Sequence, residues 1–344
     1  MTRPRLTEGP LSAAQAALVT ELAEAARRAD GVPPLSEHAL LHVQHPADGS
    51  SGEGSAARDL LLTIDETAVG YAHLDPPDET DEDEGDLSGE LVVHPAHRRR
   101  GHARALIAAL VSTALTDTPL AGTELTDTAL ADSARGHGIR LWAHGDLPAA
   151  AGLARATGFT RARSLWQMRR PLAGAYSPSM PEPSFPAGVT VRTFVPGKDE
   201  EAWLEVNARA FAHHPEQGAW TRDDLELREA EPWFDPAGFF LAERDGRLAG
   251  FHWTKVHAEG PEGVPEGEVY VVGVDPGGQG GGLGRALTLA GLHHLAGRGL
   301  AHVMLYVDEE NTAATRLYTA LGFTRSNTDV MYRRAAPPDM ARGR

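Results

Sequence analysis

The sequence predicts an α/β (α+β) chain built from two tandem copies of one domain. Each copy reads as a strand hairpin, then a strand, a small-residue loop and a helix. Three observations carry this reading. Leu91–Ile107 (LVVHPAHRRRGHARALI) aligns without gaps on Val272–Thr288 (VGVDPGGQGGGLGRALT), 181 residues further on. The identities are Val93/Val274, Pro95/Pro276, Gly101/Gly282, Arg104/Arg285, Ala105/Ala286 and Leu106/Leu287. Upstream, Leu60–His73 matches Phe240–Trp253 at nearly the same shift, and downstream the ATGF of Ala156–Phe159 answers the ALGF of Ala320–Phe323. Matched segments in one order mark a duplicated unit.

In the first copy, Leu60–Ile64 and Ala68–His73 read as strands around a polar turn. Asp75–Glu90 follows, with nine acidic residues in sixteen positions, a solvated loop by self-repulsion and without the spacing of a calcium loop. About 17 extra residues fall within Thr113–His137, because the shift drops from 181 to 164 beyond them. Pro171–Gly188 concentrates prolines and serines and reads as a linker. In the second copy, Phe239–Glu243 and Leu248–Trp253 flank Asp245-Gly246, a strong hairpin signal. Glu268–Val274 (EVYVVGV) is a β-rich run ended by Asp275-Pro276, and Arg285–Ala296 has helical spacing. Asn311–Leu321 reads as a helix with Asn311 as N-cap and Gly322 as stop, its inward stripe being Ala314, Leu317, Tyr318 and Leu321. The expected division is 1–172, a linker at 173–187, a second domain at 188–334, and a flexible tail at 335–344.

Composition narrows the function. Forty-eight acidic against 32 basic residues give a net charge of −16 over 344 residues, which disfavours non-specific nucleic-acid binding. There is no cysteine, hence no disulfide, thiolate nucleophile or cysteine-ligated metal. No signal-peptide pattern and no run of about 20 apolar residues is present, so a soluble cytoplasmic monomer, without a membrane, is expected. His213-His214 and His252–His257 lack H-E-x-x-H spacing, and no metal is expected.

The loop Gly277–Gly284 lies between strand and helix. Glycines let a ligand approach the backbone, and the unpaired first amides of a helix attract an anion, a phosphate above all. No Gly-Lys-Ser/Thr follows, and the glycine spacing does not fit a dinucleotide fingerprint.

Gln279-Gly280-Gly281-Gly282-Leu283-Gly284 resembles the Q/R-x-x-G-x-G/A signature of the Gcn5-related N-acetyltransferases, and Arg98-Arg99-Arg100-Gly101-His102-Ala103 resembles a second copy. The later segment Asn311–Phe323 (NTAATRLYTALGF) also matches that family. The resemblance implies two tandem domains, each a mixed, mostly antiparallel sheet flanked by helices, that use acetyl-CoA as co-substrate. Five segments are more closely similar to tandem members that acetylate the cysteinyl amine of desacetylmycothiol, a thiol glycoside, in the last step of mycothiol biosynthesis: Gly267–Pro276, His214–Thr221, Trp233–Ala242, Gly250–His257 and Met304–Phe323. Acetylation of another small amine, or CoA binding without catalysis, are the alternatives.

The resemblance implies that acetyl-CoA is held in the second copy by Val272, Gly273 and Val274, by Gln279, Gly280, Gly281, Gly282, Leu283, Gly284 and Arg285, and by Asn311, Thr312, Ala313, Ala314, Thr315 and Arg316. The corresponding set in the first copy is Leu91, Val92, Val93, Arg99, Arg100, Gly101, His102, Ala103 and Arg104. It also implies substrate contacts from Glu37, Glu216, Lys255, Glu268 and Tyr306. Acyl transfer to an amine needs a proton acceptor and a donor for the departing thiolate. Glu268 and Tyr318 match the family's residues for these roles. In the first copy Leu87 and Ala154 stand in their places, and Leu147 followed by Pro148 replaces Asn311, so one copy is expected to be active and the other degenerate.

Overall fold

A computed structural model describes residues 4–44, 57–75, 86–115, 138–174, 177–212, 214–258, 260, 263–279 and 281–336. Most of the acidic run, most of the expected insertion and residues 337–344 of the tail lie outside these. The chain forms two compact units, Met1–Ser164 with Thr328–Arg344, and Leu165–Asn327.

The first unit's strands are β1 (Arg5–Glu8), β2 (Arg58–Ile64), β3 (Thr67–Asp75), β4 (Leu87–Val93), β5 (Ile139–Ala143) and the greater part of β12 (Thr324–Arg334), in the order β1-β2-β3-β4-β5-β12. Only β4 and β5 pair parallel; the rest are antiparallel. Helices α1 (Ala13–Asp30) and α2 (Glu37–Gln44) bury one face, where Val19, Leu22, Ala39 and Val43 meet Leu61 and Tyr71. On the other face, α3 (His102–Leu115) and α4 (Pro148–Ala156) pack against Leu60, Leu62, Val69 and Val330. α1 starts from a capping box between Ser12 and Gln15 and stops at Gly31, whose φ of +75 is left-handed.

The second unit repeats this plan with β7 (Val189–Thr193), β8 (Phe239–Arg244), β9 (Arg247–His257), β10 (Glu266–Val274), β11 (His302–Asp308) and the greater part of β6 (Thr160–Pro171), in the order β7-β8-β9-β10-β11-β6. Here the parallel pair is β10 and β11. Helices α5 (Glu200–Ala210), α6 (Pro215–Gly218) and α7 (Arg222–Glu229) precede β8, and α8 (Leu283–Gly297) and α9 (Thr312–Ala320) flank β11 in sequence. An aromatic core of Trp203, Phe239, Phe251 and Trp253 fills one face, and Leu289, Leu292, Leu295 and Leu305 fill the other. The expected hairpin is confirmed: Asp245 and Gly246 have φ of +52 and +74, as a type I′ turn requires. Each unit is therefore a mixed, mostly antiparallel sheet flanked by helices.

The boundary at residue 172 differs from what the structure shows. Leu165–Pro171 pairs with β11, so the strand that ends the first copy completes the second unit's sheet. Val330–Arg334 pairs with β5 and completes the first. Side chains fix this exchange. Arg170, 1% exposed, donates to Leu321 O at 2.5 Å and to Pro178 O at 3.1 Å in the second unit. In the first, Arg333 Nε donates to Asp86 at 2.6 Å, and Asp329 accepts from Gly145 N at 2.9 Å. The described part of the 173–187 segment contains no helix or strand, as expected, but it is not free. Met180 and Phe185 pack into the second unit's core, and His293 contacts Pro181 O at 3.0 Å. Among the described residues, no helix is long and apolar enough to cross a membrane.

Candidate active site

The second unit's sheet opens where β10 and β11 meet. Their pairing covers only Gly267↔Val303, Glu268↔Met304 and Val269↔Leu305. Beyond Val269, β10 pairs with β9, and β11 pairs with β6. The β10–β9 ladder shifts register between Val269 and Val271, which leaves Tyr270 bulged. A bulge increases twist and bends the strand. The edge of β10 along Val272, Gly273 and Val274 is thereby open to an extended ligand able to pair with backbone.

The strand runs into the loop. Asp275 accepts from Gly277 N at 2.9 Å and from Arg209 Nε at 2.7 Å, and Arg209 holds its carboxyl below the usual range. Gly282, with φ of +82, starts α8 without a capping side chain. An L-residue in that conformation costs about 1–2 kcal/mol. The first amides of α8 therefore keep their hydrogens for a ligand, and the helix dipole favours an anion there. Gln279, Gly281 and Gly284 belong to this turn, Leu283 is buried beneath it, and Arg285 is exposed on the first helical turn. Gly280 lies outside the described residues.

The first unit keeps the backbone shape. Gly101 has φ of +88 before α3, and Arg99 has φ of +62. His94 accepts from Ala96 N at 3.2 Å, the counterpart of Asp275 with Gly277. Leu91, Val92 and Val93 continue β4 beyond its last β5 pair, Glu90↔Trp142. Arg99, Arg100 and Arg104 are exposed and Ala103 is half-buried. His102 is buried, and its Nε2 has no hydrogen-bond partner among the described residues. Burial, with His97 and Arg100 adding to it, lowers the His102 pKa.

Glu268 sits within β10 rather than at its start, and is buried. It lies opposite Lys255 on β9 and Met304 on β11, so alternation puts these side chains and Tyr306 on one face. His257, diagonal to Glu268, donates from Nε2 to Oε2 at 2.6 Å. Beside this pair, Arg169 Nε donates to Glu266, also buried. Lys255 is buried with its ammonium 4.2 Å from the Trp233 ring centre and 5.0 Å from that of Tyr270. Arg228 donates to the Tyr270 hydroxyl at 2.9 Å, which braces the bulged residue. Tyr306 is 42% exposed on the same face.

Tyr318 comes from the other face, where it packs with Val269, Leu305 and Val307 and meets Phe323 edge-on at 5.8 Å. The side chain is buried, and burial raises its pKa. Asn311 uses its side chain on its own helix, accepting from Ala314 N at 3.0 Å. Thr312, Ala313 and Arg316 are exposed, and Ala314 and Thr315 half-buried, along the start of α9. Glu216 lies on α6, with its side chain outside the described residues. Glu37 is the first residue of α2, in the first unit. The structure thus brings Glu268, Lys255 and Tyr306 together on one face. Sequence reasoning missed His257, Trp233 and Arg228. The alternation Lys255-Val256-His257 could have placed His257 beside Glu268.

The chain matches the acetyltransferase (GNAT) family over residues 202–323 and an acetyltransferase (GNAT) domain over residues 57–161. It is 58% identical over 318 residues to the mycothiol acetyltransferase of Thermobispora bispora, covering 92% of this chain and 95% of that one. To the mycothiol acetyltransferase of Thermomonospora curvata it is 56% identical, covering 94% and 95%. Its fold is similar to a GCN5-related N-acetyltransferase from Sphaerobacter thermophilus, with a TM-score of 0.63, 25% identity and coverage of 99% and 98%. A tandem GNAT protein from the clavulanic acid biosynthesis pathway shares the fold at a TM-score of 0.64 and 20% identity, covering 97% and 99%.

Proposed function

The chain belongs to the mycothiol acetyltransferases, a tandem-domain GNAT family, and from that premise we propose how its second unit acetylates the cysteinyl amine of desacetylmycothiol. The reaction uses acetyl-CoA, gives mycothiol and CoA, and is the last step of mycothiol biosynthesis. The observation that carries the assignment of roles is a buried carboxylate and a buried phenol on opposite faces of the sheet, where β10 and β11 part.

The pyrophosphate of acetyl-CoA rests on the first amides of α8 behind Gly282, and the pantetheine arm pairs with the open edge of Val272–Val274. This threads the thioester into the opening. The substrate enters from the face of Glu268, Lys255 and Tyr306, where the lysine and carboxylates can bond its hydroxyls. An α-amine has a pKa near 7.7, so much of it is already neutral near pH 7–8. The amine attacks the thioester carbonyl directly. As the C–N bond forms, Glu268 takes the proton, held in place by His257. As the C–S bond breaks, the thiolate receives a hydrogen bond or proton from Tyr318, which burial keeps protonated at neutral pH. Because the bulge at Tyr270 has no counterpart in β4, the register puts Ser88, opposite Asp75 and Arg140, and not Leu87 in the place of Glu268. Neither Ser88 nor Ala154 offers a carboxylate or a phenol in the first unit, which leaves CoA binding to it. The enzyme works as a cytoplasmic monomer.

The test is incubation of the full chain with acetyl-CoA and desacetylmycothiol or other small amines, with products identified by mass spectrometry. N-acetylation of the cysteinyl glycoside is expected. Faster turnover of an unrelated amine would move the substrate assignment, and CoA binding without turnover of any acceptor would remove the catalytic one.

A further inference from the structure

The two units place different chemistry at matching sheet positions. In the second, Phe239 lies opposite Trp253, and the rings stack at 4.5 Å and 6°. In the first, the corresponding opposite pair is Asp59 and His73, both buried. Two residues on, Asp75 stands where the second unit has Lys255. The fold accommodates an aromatic core at this place. Burying carboxylates and imidazole there is costly unless a positive charge completes the group.

His73 has a carboxylate at each ring nitrogen. Nδ1 lies 3.0 Å from Asp59 Oδ1, and that oxygen also accepts from the Tyr71 hydroxyl at 2.5 Å. Nε2 lies 3.0 Å from Asp75 Oδ1. From the first turn of α2, His38 brings its own Nε2 to 2.9 Å from the same Asp75 oxygen. His42 stands behind, 3.5 Å from Asp59 Oδ2. The ligand atoms of His38, His73 and Asp75 all lie within 4.8 Å of one another.

We propose that the first unit binds one divalent transition-metal ion of the zinc class through His38 Nε2, His73 Nε2 and an oxygen of Asp75. Two imidazoles and a carboxylate with bonds near 2.0–2.2 Å are a common donor set for such an ion, and leave a fourth position for water or a ligand oxygen. The support behind the ligands is already built. A metal-bound histidine ordinarily donates its other N–H to a carboxylate, as His73 does to Asp59, with Tyr71 and His42 holding Asp59 in turn. His38 is half-exposed, which gives an ion a route in. The ion would fasten α2 to β3, next to Glu37. It takes no part in acetyl transfer, which is placed in the other unit and needs no metal.

Untagged full-length protein, freed of metal by a chelator, is titrated with Co²⁺ and followed by visible absorption, then back-titrated with Zn²⁺. The expected result is uptake of about one Co²⁺ per chain with tetrahedral-type bands, displaced by Zn²⁺. His38→Ala, at a half-exposed position, should keep the circular dichroism of the parent and weaken binding at least tenfold. Asp59→Asn should weaken it by about 10–100-fold. Absence of a stoichiometric cobalt spectrum in the parent protein would overturn the proposal, as would undiminished affinity in His38→Ala.

Discussion

Replacing Tyr318 by Phe removes one hydroxyl and preserves the ring. The ring's contacts with Val269, Leu305, Val307 and Phe323 are apolar and should survive. The side chain is buried among these apolar neighbours, which hold the ring in place. Stability should change by no more than about 1.5 kcal/mol, the net worth of one hydrogen bond. The loss should fall on the transition state alone. Help from a general acid is worth about 10²–10⁴-fold, and a CoA thiolate is a fair leaving group, so about 10²-fold is expected, or about 2.7 kcal/mol of barrier. Because the acceptor is itself a thiol, the assay should follow the acetylated product chromatographically rather than thiol release. It should use single turnovers, so that chemistry is observed. Affinity for acetyl-CoA should barely change. A thioester donor with a more acidic thiol should suffer less from the substitution. An equal penalty for both donors would refute the leaving-group role and leave Tyr318 as a packing residue.

Three further substitutions probe the frame around the site. Gly282→Val should cost about 1–2 kcal/mol of stability and lower CoA affinity and turnover together; Gly101→Val should cost similar stability yet spare most turnover, as calorimetry and the product assay would show. Arg170→Met should destabilise by about 1–3 kcal/mol in thermal unfolding, because Leu321 O loses a buried donor. His144→Gln should destabilise the first unit by about 3–5 kcal/mol near pH 6, because Glu90 and Asp329 lose a buried cation. Burial lowers the His144 pKa, but these carboxylates outweigh it and raise it to about 10. The stabilisation is therefore complete below about pH 6.5 and lost as pH rises towards 10, so the parent and variant melting curves should converge over that range.

Local chemistry made much of this molecule legible before its structure. The left-handed turn at Gly282, the Asp245-Gly246 hairpin and the Asn311 cap each depend on a few adjacent residues, and the repeat located the same loop at Gly101. The exchanged strands were not legible for a physical reason. Thr160–Pro171 and Thr324–Arg334 are equivalent strands of duplicated sheets, so either fits either sheet. The choice rests on distant contacts such as Arg170 with Leu321 O and Arg333 with Asp86. The bulge at Tyr270 has no glycine to announce it, and is braced by Arg228, which is far away in the chain. The Asp59–His73 pair was hidden because an alternating strand pattern shows which residues turn inward, but not that a charged pair replaces stacked rings.

The central claim is that Glu268 takes the amine's proton where β10 and β11 part. The most direct measurement is the pH profile of kcat/KM for desacetylmycothiol, in parent and Glu268→Gln proteins. Glutamine preserves the shape and can still accept from His257, but it cannot take a proton. The variant should be most impaired below the amine's pKa of about 7.7 and should recover progressively above it, as neutral amine becomes abundant. Parallel profiles, with one fractional loss at every pH, would contradict base catalysis and reduce Glu268 to a group that positions the substrate.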